Sequence, residues 1–144
     1  MPPQQPTDFP LSFLIGLPIM WALVSGIISF VGGWAALAGR YRTELPPPPN
    51  LRRFRSGSFA FLTNYNNVLS IGHSDTGLYL GIFVLFRLFH PPLLIPWHDI
   101  RSRRRGGWVL KYDTLTIDAG REVRLRLRTS VTAPFEKRLP PITP

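Results

Sequence analysis

The sequence predicts one N-terminal transmembrane α-helix followed by a small, mainly antiparallel β domain, a barrel or sheet with room for a short C-terminal helix. Three observations predict it. Residues 9–39 carry no charge, whereas all 17 Lys and Arg lie in residues 40–144. Leu11 to Ala38 is a run of 28 uncharged, largely apolar residues; one membrane crossing takes about 20 and two would take about 40. Beyond residue 57, short apolar runs are separated by turn residues about every 8–12 positions.

Residues 1–8 form a tail whose Asp8 is the only acid before the basic region. The span is expected over 9–39. Pro18 leaves two readings open: the helix starts near Pro10 and bends at Pro18, or Pro18 sits in its first turn and 18–38 crosses. Ala36-Leu37-Ala38 looks like a signal-peptidase site. However, the segment MPPQQPTD before the apolar run has no basic residue, and the run exceeds the about 7–15 residues of a signal core. An uncleaved anchor is therefore expected. Trp34 and Tyr41 fall where interfacial aromatics lie. Basic residues flank only the C-terminal end (Arg40 and Arg42, then Arg52, Arg53 and Arg55), which predicts a single-pass protein of the inner (cytoplasmic) membrane with its N-terminus outside. Ala22, Ser25, Gly26, Ser29 and Gly33 line one helical face with small side chains, the pattern that lets helices approach closely. A membrane protein partner, or self-association through this helix, is expected there.

Residues 40–56 read as a basic, proline-rich linker. Its TELPPPPN stretch predicts a polyproline II spacer of about 3 Å per residue, holding the domain a short distance from the bilayer. The β domain is expected over 57–139, with 140–144 as a tail. Asn64–Asn67 (NYNN) and Gly72–Gly77 (GHSDTG) read as turns. Leu78–Phe86 reads as a strand apolar on both faces, so its second face must be covered by core, partner or lipid. Phe86 and Phe89, around Arg87, read as a membrane-interface tip. Leu93–Trp97 reads as a short strand, Arg101–Gly107 as a basic turn, and Trp108, Leu110 and Tyr112 as an inward-facing row. Asp118–Gly120 turns the chain. Val123, Leu125 and Leu127 then alternate with Arg124, Arg126 and Arg128, apolar in and arginine out. Thr132–Leu139 has room for two helical turns. Some 80 residues make a modest core, one that membrane contact or a partner would support.

The charge past residue 40 is +10, from 17 basic and 7 acidic residues, and favours an anionic partner. Beside an anchor, anionic lipid headgroups are the expected partner, contacted by Arg52, Arg53, Arg55, Arg101, Arg103, Arg104 and Arg105 at about 1 kcal/mol each. The bland alternative for the last four is a solvated turn. There is no Cys. His73, His90 and His98 lack convergent carboxylates, so no metal and no cofactor is expected. His98-Asp99 has no nucleophile beside it, and no catalytic residue is expected. Trp108 adjoins the arginines, but alternation places it in the core, so nucleic acid is not expected. The expected function is non-catalytic: a membrane-anchored binding or scaffolding module on the cytoplasmic face. The alternative is a structural accessory subunit of a larger membrane protein complex.

Gly77–Ile100, GLYLGIFVLFRLFHPPLLIPWHDI, resembles the strand pair of bacterial pleckstrin-homology-like (PH-like) domains, with "GLYL" and "IPWHDI" matching a gl-x-l … ipw-x-x-I pattern. The arrangement, with Tyr65–Asn67 and Phe86–Trp97, is also similar to a group of small single-span bacterial membrane proteins of unknown function. The resemblance implies a small β-barrel closed by a C-terminal helix. Pro134, Pro140 and Pro141 depart from that pattern and imply a stunted or missing helix.

Overall fold

The computed structural model describes residues 1–3, 10–59 and 63–144. Residues 4–9, in the expected tail and at the start of the expected span, lie outside the described residues, as do 60–62 in the expected β domain.

Helix α1 covers Leu11–Val31, with Pro18 inside it rather than in its first turn. Its 21 residues rise about 31 Å, and it is long and apolar enough to cross a membrane. Most of its side chains are exposed.

The expected continuous helix to residue 39 is instead two helices. At Gly32–Gly33 the path breaks, and Gly33 adopts φ 88°. A side chain in that left-handed region costs roughly 1–2 kcal/mol, and a Cβ at Gly33 would also press on Val123 at 3.1 Å. Helix α2, Trp34–Tyr41, then turns into the β domain. Trp34, Leu37 and Tyr41 recur at intervals of three and four, share one face, and are all buried in the core.

The β domain is one curled sheet of eight strands among the described residues. They are β1 Arg52–Phe59, β2 Thr63–His73, β3 Gly77–Ile82, β4 Leu93–Pro96, β5 Ile100–Gly106, β6 Tyr112–Asp118, β7 Glu122–Arg128 and β8 Ile142–Thr143. The order is β4-β3-β2-β1-β7-β6-β5-β8, antiparallel except for the short β5–β8 pair. Strand β7 shows the alternation expected of it, with Val123, Leu125 and Leu127 buried and the arginines out. Strand β3 is buried at all six positions, as a strand apolar on both faces requires. The short C-terminal helix α3 (Thr129–Thr132) runs into a 3-10 turn over Ala133–Arg138, and Val131, Phe135 and Leu139 enter the core. Helix α2 adds its three large side chains to the same core.

Several local expectations are corrected. Asn64–Asn67 is part of β2, because Ser58 and Ser56 on β1 satisfy the Asn64 and Asn67 side chains. The expected strand 78–86 stops at Ile82, and Val84–Phe89 forms a 3-10 segment. The expected turn 101–107 is strand β5, paired with β6 from Ile100 to Gly106. The expected inward row Trp108, Leu110 and Tyr112 is not inward: Trp108, at the β5–β6 turn, is 98% exposed and Leu110 is exposed too, and on β6 the buried positions are Asp113, Leu115 and Ile117, not Tyr112. The proline linker is not a spacer. Thr43 N–H donates to the Pro92 carbonyl at 3.0 Å, and the Asn50 side chain bonds the His73 backbone in both directions at 2.8 and 3.0 Å. The prolines therefore lie along the domain, which starts two residues after α1 ends.

Candidate functional site

The C-terminal half of α1 does not stand clear of the β domain. Ser29 Oγ donates to the Phe89 carbonyl at 2.7 Å, the Phe89 ring lies over Gly26, and Trp21 packs on Phe86 with ring centres 5.0 Å apart. Arg121, at the β6–β7 turn, donates to the Phe30 carbonyl at 3.4 Å. Of the expected helix-packing row, Gly26 and Ser29 thus seat this chain's own 3-10 segment, Ala22 lies beside Phe89, Ser25 is buried and Gly33 is the hinge. Part of the face expected to receive another helix, at Gly26 and Ser29, is occupied by this chain's own segment.

Around this junction the surface is apolar. Phe83, Val84, Leu85, Leu88 and Phe89 are exposed, in continuity with α1. Phe54, at φ 56° in an irregular stretch of β1, is exposed and meets Phe83 at 6.1 Å. Arg52, Arg53 and Arg55 surround Phe54 and are exposed, and Arg87 sits within the 3-10 segment. Basic side chains beside exposed aromatics are the composition of a membrane–water boundary. Phe86 and Phe89 belong to this surface; Trp34 and Tyr41 do not.

Trp34 is fully buried and packs against Phe59, Tyr65 and His90 at 5.6, 5.8 and 5.4 Å. Its indole N–H donates to the Pro91 carbonyl at 3.0 Å. The Tyr41 hydroxyl lies 2.9 Å from Asp99 Oδ2 and 2.5 Å from the Asp118 carbonyl, two acceptors that share its one proton. Burial first, and then the Asp99 hydrogen bond, pushes its pKa up to about 12. Sequence reasoning placed both residues at the interface because it carried α1 through Gly33.

His90 is buried between Tyr65 and Phe86. Its Nδ1 lies 3.1 Å from the Phe86 carbonyl and its Nε2 2.9 Å from Tyr65 Oη. A carbonyl only accepts, so Nδ1 carries the proton and Nε2 accepts from the tyrosine. Burial lowers the His90 pKa below its ordinary 6.5, against a smaller raising effect of the Phe86 carbonyl. The unfolded chain therefore takes up the proton first. The stability from neutral His90 is complete above about pH 6.5 and is lost as pH falls below it. Thermal melting of the detergent-solubilised chain at pH 7.5 and 5.5 is expected to show this loss, with a shallower dependence in His90→Gln. Parallel curves for the two proteins would refute the assignment.

The four clustered arginines on β5 have separate fates. Arg101 pairs with Asp118 at 3.3 Å. Arg103 is 5% exposed and pairs with Glu136 at 3.3 Å. Arg105 meets Asp113 at 2.8 Å and Glu136 at 3.0 Å. Arg104 faces outward. It opens a cross-strand row, Arg104, Thr114, Arg126, Ser58 and Asn64, running from β5 to β2. Arg126 stacks its guanidinium over Tyr112 at 4.2 Å. The alternation on β7 carried the signal for this outward basic face.

His98 is exposed, 3.5 Å from Asp99, whose other oxygen holds Tyr41. Among the described residues, no three His, Asp or Glu side chains are grouped to hold a metal. Comparison with family models, with curated proteins and with solved structures finds no match.

Proposed function

We propose that this chain is a non-catalytic, single-pass membrane module whose β domain rests on the cytoplasmic surface of the inner membrane and engages anionic lipid there. The observation that carries the reading is the continuity of the apolar surface of α1 with Val84–Phe89 and Phe54, bordered by Arg52, Arg53, Arg55 and Arg87. An uncleaved anchor is supported by the core itself, because cleavage after Ala38 would remove Trp34 and Leu37 from it. The basic residues next to the helix end support an N-terminus outside. The link between α1 and the core helix α2 is only Gly32–Gly33, which leaves the domain little freedom to lift from the bilayer. The bacterial PH-like resemblance fits a curled sheet, with α2 supplying core side chains beside the Val131, Phe135 and Leu139 of the short C-terminal segment. The accessory-subunit alternative loses its main support, since the small-residue row of α1 already holds Phe89 and its neighbours.

The test uses the full chain in vesicles with spin-labelled lipids. Electron spin resonance is expected to show preferential association of phosphatidylglycerol over phosphatidylcholine. Each basic residue near an anionic surface contributes about 1 kcal/mol, so Arg52→Gln, Arg53→Gln and Arg55→Gln together should reduce that preference at least about fivefold. Salt should weaken it as well, because exposed charges are screened over about 8 Å at physiological ionic strength. Equal association of both lipids with the wild type would refute the headgroup reading.

A further inference from the structure

A groove of about 490 Å³ separates α1 from strand β2, within the about 300–1,000 Å³ typical of small-ligand sites. Trp21, Val24 and Ile28 form its helical wall, and Val68, Ile82 and Phe86 the opposite one. Two features show that the groove is unfinished. First, β2 pairs with β3 only from Leu69 to His73, and no strand among the described residues pairs with the same edge over Thr63–Asn67. Second, Ser25, on the groove wall and 5% exposed, has no hydrogen-bond partner for its Oγ. Free strand edges and orphaned hydroxyls are costly wherever water is excluded, as beside the acyl chains of a membrane surface.

We infer that this groove holds one acyl chain of a membrane phospholipid, with the ester region of that lipid against Ser25 and the β2 edge. The occupant follows from the position of the groove. One wall is about 10 Å of the helix proposed to cross the bilayer, so the phase that reaches the groove is lipid. An amphiphile meets both needs, apolar between Val24 and Val68 and oxygen-bearing at the unpaired edge. Its head also finds a fit, because Asn64 on the groove rim ends the outward row that contains Arg126 two strands away. The inference rests on α1 crossing the bilayer, as proposed above.

The test is photocrosslinking of the full chain in nanodiscs of neutral phosphatidylcholine that carries a diazirine in one acyl chain, with residue-level mapping by mass spectrometry. The wild type is expected to be labelled at Tyr65–Val68 as well as at outward residues of α1 such as Leu23 and Ile27. Val68→Trp, which fills the groove from the β side, and Ser25→Leu, which fills it from the helix, should each lower the Tyr65–Val68 label at least about fivefold. The α1 label should stay unchanged, which also shows that the variants are inserted. Wild-type label on α1 without label on β2 would overturn the inference. Absence of label on α1 itself would instead refute the membrane anchor. Because the lipid is neutral, a failed preference for anionic headgroups leaves this result untouched.

Discussion

Trp34→Ala is expected to destabilise the β domain by about 3–5 kcal/mol, the cost of truncating a large aromatic in a packed core. The indole touches Phe59, Tyr65 and His90 and donates to the Pro91 carbonyl, so its loss leaves a cavity and an acceptor without its donor. Small domains have about 5–15 kcal/mol in total, and one of this size shifts by about 4–8 °C per kcal/mol. Thermal melting of the solubilised full chain should therefore fall by at least about 12 °C. Trp34→Phe should recover part of the loss, because it refills volume without the N–H. An interfacial Trp34 would leave the domain melting almost where it was, and a shift below about 2 °C would reject the buried placement.

Asp113→Ala is expected to cost about 1–3 kcal/mol, for an electrostatic reason. Asp113 is fully buried and accepts two hydrogen bonds from Arg105, at 2.8 and 3.1 Å, and one from Thr132 at 2.6 Å. Removing the carboxylate leaves the Arg105 guanidinium, whose pKa these bonds had raised, with Glu136 alone, and leaves the buried Thr132 hydroxyl with only its longer bond to the Thr129 carbonyl at 3.2 Å. Burial alone would raise the Asp113 pKa; the bonds from Arg105 and Thr132 and the charges of Arg105 and Arg103 outweigh it and leave the pKa lowered from 3.8. With a lowered folded pKa, the contribution is present above 3.8 and is lost as pH falls below it. Melting curves of Asp113→Ala should thus lie well below the wild type at pH 6 and converge with it toward pH 3. A constant gap between the two over that range would show that Asp113 matters through packing alone.

These two residues also mark the line between what the sequence determines and what only the tertiary structure decides. An uncharged run is a local property, and so α1 is readable as a helix long and apolar enough to span. Period-two alternation is equally local, because successive strand side chains point to opposite faces; it located β7 and its outward arginines. The burial of both faces of β3 followed from its composition in the same way. The turn expected over Gly72–Gly77, of which only Ser74–Thr76 lies outside strands, and that at Asp118–Gly120 came from residues that favour turns wherever they occur.

The rest depended on partners distant in the chain. The break at Gly33 is invisible in hydropathy, since Trp34 to Ala38 is as apolar as the helix before it; it exists because the domain core takes up Trp34, Leu37 and Tyr41. The arginines of β5 looked like a solvent-facing turn because the carboxylates that hold them, Asp113 and Glu136, lie up to 33 residues away. Asn64–Asn67 looked like a turn because the serines that satisfy two of these side chains belong to another strand. The small residues of α1 specified that something packs closely, but not what: the chain's own Phe89 packs on Gly26 and Ser29. Local pattern fixed the type of α1, β3 and β7, whereas the type of β5 and of Asn64–Asn67, and the ends and occupants of the elements, are set by burial and pairing across the fold, which a single sequence does not display.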